Sequence, residues 1–137
     1  MLYENTNECR RILLVDDETF IVTALARVLE RRGFDVTATD SPLKALSLID
    51  TEQFELVITD LKMYPVSGID ILERLKNSGY EGKTLVLSAC PHDYEDDLER
   101  LAVEVVLEKP FELEIFCELV EQLTKKEVLN VWEEKKV

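Results

Sequence analysis

Short runs of consecutive aliphatic residues, ILLV at 12–15, LVI at 56–58 and LVL at 85–87, recur along the chain with longer stretches of helical periodicity between them. An unbroken apolar run suits a strand buried on both faces, which is the environment of a parallel sheet covered by helices. The intervening segments carry the matching signals. In "TFIVTALARVLERRG", Thr19 is the expected N-cap, Ile21, Leu25, Val28 and Leu29 form an apolar stripe, and Gly33 falls just past the end. "FDVTATD" alternates with period two, and "SPLKALSLIDTEQ" offers Ser41 as cap, Pro42 at the first helical position and Leu43, Leu46 and Ile49 on one face. "FELVITD" is a third strand, "LKMYPVSG" a loop, "IDILERLKNSG" a helix, and "KTLVLSA" a fourth strand. "PHDYEDDLERLA" reads as one short polar helix. "VEVVLEKP" is a fifth strand, and "ELEIFCELVEQLTKK" an amphipathic helix bearing Leu113, Phe116, Leu119, Val120 and Leu123. Five strand–helix alternations predict an α/β domain, a five-stranded parallel sheet with helices on both faces.

In such sheets functional groups collect beyond the carboxyl ends of the strands. Here those ends carry Asp16 and Asp17, then Asp60, Ser88 and Lys109. Two carboxylates ~4 Å apart repel by roughly 4 kcal/mol at an effective dielectric of 20, so the adjacent pair calls for a cation. Three carboxylates form an oxygen-only site suited to Mg²⁺, while a lysine ammonium and a serine hydroxyl suit the oxygens of a phosphoryl group. A carboxylate can itself be the nucleophile that forms an aspartyl phosphate, and Asp60, apart from the pair, is the candidate. The competing reading of Asp16 and Asp17 alone is an acid cluster at a helix N-terminus.

Charge and composition narrow the rest. Twenty-nine acidic against 16 basic residues give a net charge of −13, which disfavours nucleic acid and anionic lipid as direct partners. At 137 residues with 46% hydrophobic content, one domain is expected. Cys9, Cys90 and Cys117 have no CxxC spacing and His92 is the only histidine, which argues against a disulfide scaffold or a zinc site. No secretory signal or membrane-length apolar run is present, so a cytoplasmic location is expected. The four glycines form neither a dinucleotide fingerprint nor a P-loop, which ranks a nucleotide enzyme last.

These residues carry a resemblance. From about Arg11 to Thr124 the chain resembles the receiver domains of two-component response regulators, through "VDDE" (Asp16, Asp17), "TDLKM" (Asp60) with Gly68 after it, "LSA" (Ser88) and "EKPF" (Lys109, Pro110). The resemblance implies a (βα)5 flavodoxin-like fold with strand order 2-1-3-4-5. It also implies a phosphorylation-activated switch in which Asp60 accepts a phosphoryl group from a histidine kinase or phosphotransfer protein. Asp16 and Asp17 would help Asp60 hold Mg²⁺ or another divalent cation, Ser88 would bind the phosphoryl group in the signalling state, and Lys109 would contact it. A cis Lys109–Pro110 peptide is implied too. The chain would then be a signalling protein, catalysing only its own phosphorylation and dephosphorylation.

Several positions depart from the family's pattern. Val106 stands where an aromatic is usual, "LAV" (Leu101 to Val103) replaces a small "AGA" turn, and Tyr64 precedes Pro65 where proline more often follows the methionine directly. Lys62, two residues past Asp60, points toward the site in family members. The missing aromatic motivates a second reading, a receiver-like interaction scaffold that works without phosphorylation. The expected organisation is an extension at 1–10, the receiver at 11–124 and a tail or linker stub at 125–137, with a homodimer and an unidentified output protein as further expectations.

Overall fold

The computed structural model describes residues 10–125; the tail beyond Lys125, and most of the N-terminal extension, lie outside the described residues. The chain runs β1 (Arg11–Val15), α1 (Thr19–Arg31), β2 (Asp35–Thr39), α2 (Pro42–Thr51), β3 (Leu56–Asp60), α3 (Gly68–Asn77), β4 (Lys83–Ser88), α4 (Glu95–Arg100), β5 (Val105–Glu108) and α5 (Leu113–Thr124). All strand pairs are parallel, in the order β2-β1-β3-β4-β5, as expected.

Period-two geometry splits the strands between two cores. Ile12, Leu14, Leu56, Ile58, Leu85 and Leu87 face α1 and α5, meeting Leu25, Leu29, Phe116 and Val120. Leu13, Val15, Val57 and Val86 face α2, α3 and α4, meeting Ala45, Ile49, Ile71, Leu75 and Leu98. Both faces of the three central strands are therefore covered, which is why those strands tolerate no polar alternation. The edge strand β5 does alternate: Val106 is 37% exposed.

Helix termini follow local chemistry. Ser41 caps α2 by accepting from the Lys44 amide at 3.1 Å, with Pro42 in the first turn. Ser67 and Asp70 form a reciprocal capping box on α3. Helices α1, α3 and α4 all end in the same two-bond closure. Gly33, Gly79 and Ala102 donate three residues back, and Phe34, Tyr80 and Val103 donate five residues back. That closure needs a left-handed residue: φ is 94° at Gly33, 76° at Gly79 and 55° at Ala102. Ala102 alone does it with a Cβ.

Five local expectations are corrected. Thr19 is the first residue of α1 rather than its cap; Glu18 is the extended N-cap, and the Thr19 hydroxyl donates to Asp40 at 2.6 Å. The buried stripe of α1 is Val22, Leu25, Ala26 and Leu29, rotated from the expected one, while α2 buries Pro42, Ala45 and Ile49 and leaves Leu43 55% exposed. Leu113 is likewise 47% exposed, and Cys117 takes a core place on α5. The fourth helical segment divides into a 3₁₀ turn, Pro91–Tyr94, and the six-residue α4, with Leu98 as the only buried side chain in the two elements. So few apolar anchors do not hold a longer regular helix against the sheet.

Candidate functional site

The carboxyl ends of β1, β3, β4 and β5 converge at one edge of the sheet. Asp16 follows β1 directly and is fully buried; its amide donates to Thr39 of β2, and its Oδ1 accepts from the Glu18 amide at 3.0 Å. Such an aspartate-centred turn lets the chain leave the strand and enter α1 within three residues. Asp17 between them is exposed. Asp60 ends β3, 9% exposed, and its Oδ1 accepts from the Leu61 amide at 2.7 Å. Asp16, Asp17 and Asp60 each offer an oxygen within 4.8 Å of the others.

Lys109 lies just past β5, where its amide extends the ladder to the Ser88 carbonyl at 2.8 Å. Its Nζ donates to Asp16 Oδ2 at 3.0 Å and Asp60 Oδ2 at 3.1 Å, with Glu18 Oε1 at 4.0 Å. The peptide between Lys109 and Pro110 is cis, as the resemblance implies, and so is Tyr64–Pro65. Ser88, 3% exposed, ends β4 beside β5, and its Oγ accepts from the Cys90 amide at 3.1 Å. An accepting hydroxyl keeps its proton free to donate.

Glycine at position 68 sets the far wall of the site. A Cβ there would collide with the Asp60 carbonyl oxygen and lie 2.7 Å from the Leu61 Cα. The Gly68 amide instead donates to the Leu61 carbonyl at 2.8 Å, so α3 starts directly against the backbone that carries Asp60.

The electrostatics follow from burial and imbalance. Burial raises the Asp60 carboxyl above the ordinary aspartate range, the Lys109 charge opposes this, and the Asp16 charge adds to it. For Lys109 burial acts to lower the ammonium, but the hydrogen bond to Asp16 and the charges of Asp16 and Asp60 outweigh it and hold the group above the usual lysine value. One ammonium thus faces three carboxylates, and the excess negative charge on hard oxygen donors fits a divalent cation such as Mg²⁺.

The structure brings together Asp16, Asp17, Asp60 and Lys109, with Ser88 at the neighbouring strand end, but not Lys62. Lys62 is exposed and makes no salt bridge among the described residues. Cys90 is exposed beside Ser88, and exposed His92 on the 3₁₀ turn contacts Glu95 at 2.9 Å, which raises the imidazole. Sequence reasoning missed Glu18 as a third carboxylate within 4.0 Å of Lys109; the acidic run "VDDE" was its signal.

The response regulator receiver domain model matches residues 12–121. The chain belongs to that family. This receiver domain is 32% identical over 103 residues to the alkaline phosphatase synthesis transcriptional regulatory protein PhoP of Bacillus subtilis, covering 74% of the chain and 43% of PhoP. It thus spans less than half the length of that relative. It is 28% identical over 105 residues to sporulation initiation phosphotransferase F of the same organism, covering 76% of this chain and 85% of that one. Among solved structures, the response regulator TrrA of Thermotoga maritima, in complex with Mg²⁺ and BeF, superposes with a TM-score of 0.74 at 29% identity, covering 83% of this chain and 98% of TrrA. The general function of the family is phosphorylation-based switching, and its members bind Mg²⁺ at an acidic pocket. No helix among the described residues is long and apolar enough to cross a membrane.

Proposed function

We propose that residues 11–124 act as a phosphorylation-activated switch with Asp60 as the acceptor. The observation that carries the reading is the division of labour at the Asp60 carboxylate: Oδ1 is held by the Leu61 amide and Oδ2 by Lys109, beside Asp16 and Asp17. A carboxylate oxygen attacks the phosphorus of a phosphohistidine on a kinase or phosphotransfer protein; an O–P bond forms, the P–N bond breaks, and the imidazole leaves. Hydrolysis reverses the modification when water adds at phosphorus, releasing inorganic phosphate and the free carboxylate.

Asp16, Asp17 and Asp60 would hold the Mg²⁺, which supplies charge neutralisation for the transferring group. Lys109 neutralises a phosphoryl oxygen from the other side and, by binding Asp16 and Asp60 together, keeps the acceptor oriented. Ser88 donates its free proton to a phosphoryl oxygen, and its movement would withdraw the bond that the Cys90 amide makes to it. That links the acceptor to the 3₁₀ turn and α4, the surface offered to an output partner. The protein is then a signalling component acting in the cytoplasm.

Exposed Val106 favours a second reading, a scaffold whose partner binding ignores phosphorylation, because no aromatic ring on β5 couples Ser88 to the surface. Intact mass after incubation with acetyl phosphate separates the two. A single phosphoryl adduct that requires Mg²⁺ and is absent from Asp60→Asn is expected; an unmodified protein, with partner affinity equal with and without BeF, would favour the scaffold.

A further inference from the structure

The Lys109 ammonium has three N–H donors and commits two of them inside the site, to Asp16 Oδ2 at 3.0 Å and Asp60 Oδ2 at 3.1 Å. Glu18 Oε1 stands 4.0 Å from the same nitrogen, and among the described residues it pairs with no other cation. The two side chains differ in setting. That of Lys109 is 17% exposed and that of Glu18 63%, so the Glu18 carboxylate faces the largely buried ammonium from the solvent side. Its backbone is fixed: the Glu18 amide donates to Asp16 Oδ1 at 3.0 Å, and its carbonyl accepts from the Ile21 and Val22 amides at 3.0 and 3.1 Å in the first turn of α1. Glu18 is thus anchored beside Lys109 by the same aspartate whose other oxygen holds the ammonium.

We propose that Glu18 is a positioning residue, acting through Lys109, that favours Mg²⁺ and disfavours a phosphoryl group at Asp60. This role rests on the reading of Asp60 as the acceptor and Lys109 as the phosphoryl contact. A phosphoryl group on Asp60 must draw the ammonium toward its own oxygens, whereas Glu18 draws it outward, toward solvent. Two unit charges 4 Å apart interact by about 1 kcal/mol in a water-like dielectric, the appropriate one for so exposed a carboxylate, and that corresponds to about a fivefold change in an equilibrium constant. For a cation the sign reverses. Mg²⁺ is attracted by the additional carboxylate, and it displaces Lys109 from Asp16 and Asp60 more readily when Glu18 offers the ammonium another partner. Glu18 therefore biases the domain toward its metal-loaded, unphosphorylated form.

Glu18→Gln removes the charge and keeps the side-chain length. Two probes test it in the full chain: Mg²⁺ alone, followed by titration calorimetry, and BeF at saturating Mg²⁺, followed by fluorine magnetic resonance. The expected result is a pair of opposite shifts, a dissociation constant for Mg²⁺ raised about two- to fivefold and one for BeF lowered about fivefold, both shrinking as salt rises to about 0.5 M. Asp40→Asn removes an equal charge just past β2, where the carboxylate accepts from Thr19 and makes no ion pair with Lys109, and should move neither constant by more than about 1.5-fold. Shifts of the same sign in Glu18→Gln would mark a structural role at the start of α1, and equal shifts in Asp40→Asn would mark a general field of negative charge; either overturns the proposal, as would unchanged constants. A native chain that binds Mg²⁺ but no BeF would overturn the reading of Asp60 as acceptor, and the role of Glu18 with it.

Discussion

Lys109→Met tests whether the site is held together by one cation among acids. Nζ lies 3.0 Å from Asp16 and 3.1 Å from Asp60, which at an effective dielectric of 20 corresponds to about 5 kcal/mol of attraction to each. Burying the ammonium and the carboxylates offsets much of this, since desolvation costs several kcal/mol per ion. The variant keeps the desolvation of the carboxylates and loses their partner. Asp16 and Asp60, with oxygens within 4.8 Å, then repel by roughly 3 kcal/mol or more. The expected destabilisation is about 3–5 kcal/mol at neutral pH without metal, the range for orphaning a buried charge.

Its pH dependence has a definite sign. The folded Asp60 carboxyl already sits above its ordinary value of 3.8, and Lys109 is a group holding it down. Between the unfolded and the raised folded value the native state binds more protons, so this group's penalty fades as pH falls through that window, and removing Lys109 widens the window upward. Urea unfolding followed by circular dichroism should therefore show a deficit that is largest near pH 7.5, shrinks toward about pH 5, and is reduced at either pH by added Mg²⁺. A deficit below about 1 kcal/mol, or one indifferent to both pH and Mg²⁺, would refute the electrostatic account.

The same reasoning gives three shorter tests. Asp60→Asn, which removes a carboxylate whose ionised form is disfavoured by burial and by Asp16, should raise the melting temperature of the metal-free protein at neutral pH by a few degrees and abolish the added stability from Mg²⁺. Gly68→Ala, whose Cβ meets the Asp60 backbone, should cost about 1–3 kcal/mol in urea unfolding and slow phosphorylation by acetyl phosphate, because α3 must retreat from the acceptor. Ala102→Gly relieves a left-handed alanine at φ 55° and should stabilise by about 0.5–1 kcal/mol, the relief being partly cancelled by the freer unfolded chain.

How much of this was written in the sequence depends on the range of the interaction that decides each feature. Strands β1, β3 and β4 are legible because burial on both faces forces an unbroken apolar run, and the strand-end rule then places Asp16, Asp17, Asp60 and Lys109 together. The buried stripes of α1 and α2 differ from the expected ones, since the small side chains of Ala26 and Ala45 take core places while larger apolar residues such as Leu43 face outward. Leu43 and Leu113 look like core residues in one dimension and face outward in three. Gly68 was visible as a motif letter, but its reason, a carbonyl where a Cβ would sit, exists only once α3 and β3 are packed. Ala102 shows the converse: the structural demand for a left-handed residue persists although the residue suited to it is missing.

Chemical trapping identifies the modified residue directly. Treating the acetyl phosphate-labelled protein with borohydride reduces an acyl phosphate to an alcohol, leaving homoserine wherever the phosphoryl group stood, and peptide sequencing by mass spectrometry then locates it. Homoserine is expected at position 60 alone, dependent on Mg²⁺ during labelling. Homoserine at position 16 or 17, or labelling that persists in Asp60→Asn, would contradict Asp60 as the acceptor.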